Sequence, residues 1–200
     1  NSVQLVELVT SEAALGHDMG ICPDEEVSLS MAIRRALTAD VALLSGGVSA
    51  GVVDLVPRAL ADEGVEPVFH HVRLKPGRPL FYGTHGKKHV FGMPGNPVSV
   101  FAGFELFVRP LLRRLMGVEP AIPHRLWVLW DGPPLGPNAR TRALGVRLSG
   151  ERPPWKAAPV PSRGSADVAA LSRFDALALA PADKPVAPGD LLEAIPLRLR

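Results

Sequence analysis

Apolar residues recur along the first half of the chain with two alternating periods. Leu5, Leu8 and Val9 fall at helical spacing within residues 3–15, and Gly16 follows as a stop. Residues 17–22 form a short apolar piece that reads as a strand. Pro23-Asp24-Glu25-Glu26 then reads as a helix start, with acids where the helix dipole favours them, and Leu29, Ile33, Ala36 and Leu37 supply its apolar stripe. Val41-Ala42-Leu43-Leu44 predicts a buried strand and residues 54–63 a helix, with Pro57 in its first turn where proline is tolerated. Residues 66–72 predict another strand. Residues 80–83 and 89–93 predict two more, joined by the turn 84–88. Asn96 and Pro97 open a helix that runs to about Met116 and stops at Gly117; Pro110 inside it predicts a kink.

The alternation of strand and helix up to Gly117 predicts an α/β layer with helices on both faces. Beyond Gly117 the pattern changes. Prolines crowd the chain, and short strand-like runs appear at 125–130, 141–148, 176–180 and 191–197, with one short helix near 166–171. Short strands between Pro and Gly turns predict a small all-β, barrel-like or sandwich domain. The expected division is therefore an α/β domain over residues 1–117 and a β domain over 118–200, with the boundary near 118–123.

Three glycine-rich turns punctuate the α/β half: SGGVSAGVVD at 45–54, KPGRP at 75–79 and GMPGNPVS at 92–99. They follow short apolar runs, and loops at the carboxyl ends of strands are where open α/β sheets bind ligands. From Pro67 to Phe104 there is no Asp or Glu, while Arg73, Lys75, Arg78, Lys87, Lys88, His70, His71, His85 and His89 all fall there. Basic, acid-free loops whose glycines let backbone N–H groups approach closely suit a phosphate-like or oxyanion ligand. Asp54 closes the first turn, and a carboxylate beside an anion pocket suits Mg²⁺. Each turn also has a purely structural reading: a tight strand-to-helix turn at 45–54, a solvated turn at 75–79, helix capping by Asn96 at 92–99. Asp24 reads equally as a simple helix-start acid, and Cys22 as a small buried side chain. His70 and His71, adjacent on a strand, are expected on opposite faces.

Composition narrows the picture. The chain has 200 residues, 46% hydrophobic and 21% charged, with a formal net charge of +2. That is a globular composition whose near-balance of charge argues against nucleic acid as a partner, in spite of a pI near 9.0. The single cysteine excludes an internal disulfide and fits a reducing, cytoplasmic setting. No apolar run reaches transmembrane length. No Cys/His cluster has zinc spacing, and no dinucleotide or Walker fingerprint occurs. Asn1 in place of Met, and a chain that opens directly in a helical pattern, suggest a fragment or processed product.

In order and spacing, DMGICPDEE, SGGVSAGVVD, KPGRP and GMPGNPVS followed by FELFVRPLLRRLMG resemble the molybdopterin molybdenumtransferase family, to which the gephyrin carboxy-terminal domain belongs. The tail from Pro161 onward resembles that family's last domain, so the resemblance covers nearly the whole chain. It implies a three-layer α/β/α molybdenum-cofactor-biosynthesis domain followed by a β-barrel. The implied activity is insertion of molybdate into adenylylated molybdopterin with release of AMP, dependent on Mg²⁺, in a cytoplasmic homodimer that contacts the molybdopterin adenylyltransferase transiently. An adenylyltransferase-like enzyme and a non-catalytic, peptide-binding scaffold are the alternatives.

The resemblance implies roles for particular residues. Asp54 and Asp24 would bind or position Mg²⁺, and with Lys75 form the catalytic set. Ser45, Gly46, Gly47, Ser49 and Gly51 of the first turn would bind substrate, as would Gly77 and Arg78 of the second, Pro94, Gly95, Asn96 and Pro97 of the third, and Ser165 in the last domain. Two positions depart from the family pattern: Arg78 replaces a lysine, keeping charge but changing geometry, and His71 stands where a lysine is frequent. Asn1 matches the Asn of the family's Asp-Ser/Thr-Asn turn. The resemblance therefore implies that the domain's first strand lies outside this chain, and that the chain alone is weak or inactive.

Overall fold

Val41-Ala42-Leu43-Leu44 is apolar on both sides of the pleat because it is covered on both faces. The structure, a computed structural model, describes residues 1–48, 55–122 and 124–197. Strand β1 (Val41–Ser45) pairs in parallel with β5 (Lys88–Met93), which pairs antiparallel with β4 (Phe81–His85), which pairs antiparallel with β2 (Glu66–His70). The order is β1-β5-β4-β2. Helices α2 (Glu26–Ala36) and α3 (Leu55–Asp62) lay Leu29, Ile33, Val56, Ala59 and Leu60 over Ala42, Phe81 and Val90. On the opposite face, α1 (Ser2–Thr10), α4 (Pro97–Gly103), α5 (Arg109–Leu115) and the turn between α4 and α5 bring Leu5, Val100, Phe104, Val108 and Leu112 against Phe91 and Met93. Alternate residues of each strand thus serve alternate cores, which makes the three-layer α/β/α domain.

Several expectations are corrected. Residues 17–22 form no strand. The first helix ends at Thr10, and Ala13 takes φ 60°. Pro110 is accommodated by a π-helical turn, Phe104–Val108, in which the Arg109 N–H donates to Phe104 O. The wider turn meets a residue that has no N–H and whose ring excludes the carbonyl four residues back. Gly117 ends the helix as expected, at φ 72°. Val118 N donates to Arg113 O (2.9 Å) and Gly117 N to Arg114 O (3.2 Å), the paired bonds of a Schellman cap.

The second unit is a closed five-stranded barrel. Strands β7 (Thr141–Ser149), β8 (Trp155–Pro159), β6 (Leu126–Trp130), β10 (Leu191–Pro196) and β9 (Ala176–Ala180) pair in that order, and β9 returns to β7. So narrow a barrel fills its interior with small residues around a few large ones. Ala157, Ala176, Ala178, Ala180 and Ala194 surround Val128, Trp130, Val146 and Leu192. The indole of Trp130 donates to Pro133 O at 2.9 Å, so its buried donor is satisfied. Short helix α6 (Val168–Leu171) precedes β9.

Two strands of this unit escape the sequence pattern. Strand β8 is framed by Pro153, Pro154 and Pro159, which read as turns. Strand β3 (Leu74–Lys75) is only two residues long and pairs in parallel with Thr141 and Arg142 of β7. The chain divides into Asn1–Val72 with Gly77–Leu112, and Arg73–Pro76 with Arg113–Arg200. Where the sequence places a single boundary near 118, the second unit thus begins after Leu112 and also takes four residues of the KPGRP region. Among the described residues no helix is long and apolar enough to cross a membrane.

One charged network ties the first unit together. Glu105, 3% exposed, accepts from Arg109 Nε (2.7 Å) and Nη2 (2.8 Å), and Arg109 also pairs with Glu12 beyond α1 and lies 5.4 Å from the Phe104 ring centre. Burial pushes the Glu105 carboxyl up from 4.5 to about 8. An acid raised in the folded state keeps a proton that the unfolded chain has released, so its contribution to stability falls as pH rises from 4.5 to about 8. Arg109→Leu should cost about 3 kcal/mol or more and extend that fall to higher pH. Urea unfolding at both ends of the window tests this: equal stability of variant and parent at the alkaline end would show that the network contributes nothing.

Candidate functional site

The parallel pairing of β1 with β5 ends both strands together, with Ser45 opposite Met93. The first and third glycine turns therefore start side by side. Gly46 N donates to Met93 O at 2.9 Å. The Asn1 side-chain amide donates to Ser45 Oγ and to Gly95 O, both at 2.7 Å, and Ser45 Oγ donates to Pro94 O at 3.4 Å. One carboxamide thus links the two turns.

Glycine is required in the first turn. Gly46 takes φ 96° and Gly47 φ 64°, conformations that L side chains rarely adopt, and a Cβ on Gly47 would stand 2.7 Å from Val56 Cγ2. Val48, 1% exposed, packs its methyls where Gly92 has no side chain; a Cβ there would meet Val48 Cγ1 at 2.6 Å. In the third turn Pro94 is buried, Gly95 and Asn96 are exposed, and Pro97 opens α4. Asn96 occupies the N-cap position, but its side chain makes no capping bond; its backbone carbonyl accepts from Ser99 and Val100 at 3.0 Å.

The histidines depart from expectation. Strand β2 ends at His70, and His71 takes φ 85°. That turn of the backbone brings two side chains that a strand would point apart into a stack, with ring centres 4.2 Å apart and planes 12° apart. His70 Nε2 lies 3.1 Å from Val48 O, so the stack sits against the first turn. His71 N donates to Leu80 O (2.9 Å) and Val72 N to Arg78 O (3.0 Å), closing the loop that carries Gly77 (buried, φ 111°) and Arg78 (exposed).

Lys75 and Ser165 belong to the second unit. Lys75 is exposed, its backbone paired in register with Arg142. Ser165 is half-buried in a turn in which Asp167 accepts from Arg163 N (3.0 Å) and from Ala170 N (3.2 Å), capping α6. The hydrogen bond from Arg163, above all, holds the Asp167 carboxyl below its ordinary value. Asp24 is exposed, one residue before the N-cap Glu25 of α2. Ser49, Gly51 and Asp54 lie outside the described residues. Among the described residues no three His, Cys, Asp or Glu side chains gather to hold a metal. A Mg²⁺ held through one or two carboxylates and substrate phosphates would need no such cluster. Sequence reasoning left Asn1 and His70 off its set of binding residues; their signal is positional and becomes visible only in the contacts.

Turns gathered at the carboxyl ends of a parallel strand pair define an α/β ligand-binding domain. Residues 1–114 match the family described as "Probable molybdopterin binding domain", and the chain belongs to that family. Among curated proteins, Molybdopterin molybdenumtransferase 2 of Mycobacterium tuberculosis is 36% identical over 138 residues, covering 64% of this chain and 34% of the relative. The Molybdopterin molybdenumtransferase of Nostoc sp. is 35% identical over 122 residues, covering 59% and 28%. Among solved structures, a molybdopterin biosynthesis moeA protein from Pyrococcus horikosii superposes with TM-score 0.82 at 27% identity, covering 100% of this chain and 48% of that one. A molybdenum cofactor biosynthesis protein from Pyrococcus furiosus gives TM-score 0.75 at 25% identity, covering 98% and 64%. The chain matches about a third of the length of these curated relatives.

Gly47→Ala should lose about 1–3 kcal/mol, because strain and a clash with the Val56 side chain add. Gly46→Ala, whose Cβ would meet nothing within 4 Å, should lose only the strain. Thermal unfolding of the two variants measures the difference; equal losses would show that Val56 yields freely.

Proposed function

We propose that the protein carrying this chain inserts molybdate into adenylylated molybdopterin and releases AMP, as a cytoplasmic, Mg²⁺-dependent homodimer that contacts the adenylyltransferase transiently. The observation that carries this reading is the pair of turns joined through Asn1, Ser45 and Gly95 in a molybdopterin-binding domain. The names of the relatives, molybdopterin molybdenumtransferases, supply the reaction class.

The chemistry asks for positive potential where oxyanions approach one another. Molybdate and the nucleotide phosphate are both anionic, and their repulsion must be offset before the dithiolene sulfurs take up molybdenum. Lys75, Arg78 and His71 are the side chains this chain offers for that purpose, from a stretch free of acids. The turn residues Ser45, Gly46, Gly47, Ser49 and Gly51, with Gly77 and with Pro94, Gly95, Asn96 and Pro97, would orient the pterin nucleotide. Ser165, in the last domain, is the remaining member of the proposed binding set. Asp54 and Asp24 would hold Mg²⁺, which supplies charge neutralisation at the phosphate.

Incubating the intact protein with adenylylated molybdopterin, molybdate and Mg²⁺ should release AMP, and leaving out molybdate should stop the release. Asp54→Asn and Lys75→Ala should each lower the rate about 100-fold or more with little change in melting temperature. Binding of the nucleotide without molybdate-dependent AMP release would overturn the reaction. Unchanged turnover in either variant would remove that residue from the site.

A further inference from the structure

The geometry points to His70 as a positioning residue of this site, holding the outgoing end of the first glycine turn and the His71 ring through one imidazole. The inference rests on the function proposed above and adds a residue to it.

His70 is fixed from the sheet side. It is the last residue of β2, paired with Phe81 of β4, and the Phe81 ring meets it edge-on at 5.8 Å and 73°. Its face carries the stacked ring of His71, whose backbone is pinned by the bond from its N–H to Leu80 O. Its Nε2 meets the Val48 carbonyl at 3.1 Å. A carbonyl only accepts, so Nε2 carries the proton, in the neutral Nε2–H tautomer or in the cation.

The bond matters because of where Val48 sits. Gly46 and Gly47, both at positive φ, give the turn little steric restraint of its own. Val48 is where the turn becomes fixed: its side chain is buried against the bare Gly92 backbone, and its carbonyl is held by His70. The chain leaves that carbonyl for residues 49–54, which end at Asp54. Val48 is thus held by two supports, one apolar and one polar, and only the polar one depends on His70. The same imidazole orients His71, whose φ of 85° is costly for a non-glycine residue and persists only where the surroundings over-determine it.

A purely packing role for His70 would be served by phenylalanine, which keeps the ring, the stack and the edge contact but not the donor. His70→Phe in the intact protein should therefore melt close to the parent yet lose about tenfold in kcat, the effect of one positioning hydrogen bond. His70→Gln, which restores a donor near the position of Nε2, should recover most of that loss. Nitrogen-15 spectra of the histidine rings should show His70 protonated at Nε2. Full kcat in His70→Phe, or a loss that His70→Gln fails to reverse, would overturn the positioning role. A His70 ring protonated only at Nδ1 would overturn the bond itself. The spectrum needs no turnover, so it still decides if the parent protein releases no AMP, an outcome that would sink the proposed function instead.

Discussion

The parallel register of β1 with β5 is the constraint on which the candidate site depends. Because Ser45 stands opposite Met93, both strands deliver their turns to the same edge of the sheet, and Gly46 N can reach Met93 O. Slipping a strand by one residue would invert its faces, trading Val90 and Ala42 for Phe91 and Leu43 between two cores of different shape. The register is therefore enforced from both sides by packing. The turns inherit a precision they could not have as free loops. Asn1, Ser45 and Gly95 add short polar links to a geometry that the apolar layers have already set.

The first unit resolves a conflict between Pro110 and a long helix by the same logic. The helical segment after Asn96 must cover the sheet face that presents Phe91 and Met93, and Pro110 forbids a regular ladder through residue 106. The π-helical turn absorbs the mismatch and places Glu105 in the interior, where a carboxylate is costly. Arg109, one turn on, meets that cost with both nitrogens of its fork and reaches Glu12 as well. The packing of α1 against this face is thus coupled to an ion network as well as to Leu5.

The sequence made the layers legible because buried parallel strands and amphipathic helices write themselves as runs and stripes. Val41–Ser45, the hairpin of β4 and β5 and the stripe of Leu29 and Ile33 needed no tertiary information. The misses share one cause, which is dependence on contacts distant along the chain. Strand β3 exists because Thr141 and Arg142 offer it a partner, and β8 persists between prolines because Val128 and Leu148 pair with it. Residues 17–22 are apolar yet find no strand to join. His70 and His71 do not point apart, because alternation presumes an extended backbone and His71 abandons it at φ 85°. Of the site, the glycine turns could be read from spacing; the links through Asn1 and His70 could not, since neither residue type at those positions announces a distant acceptor.

The division of KPGRP carries the furthest consequence. Read as one turn, it would place Lys75 and Arg78 under the control of one fold unit. Instead Arg73–Pro76 joins the barrel, where Arg73 donates to Ala139 O and pairs with Asp183, while Gly77 and Arg78 return to the α/β unit. The position of Lys75 thus depends on β7 and, through the closed pairing of β7 with β8 and β9, on the integrity of the whole barrel. A destabilising change confined to the barrel interior, such as a Cβ on Gly145 where the Phe174 ring stands 2.1 Å away, would disturb that lysine without touching a residue of the α/β unit.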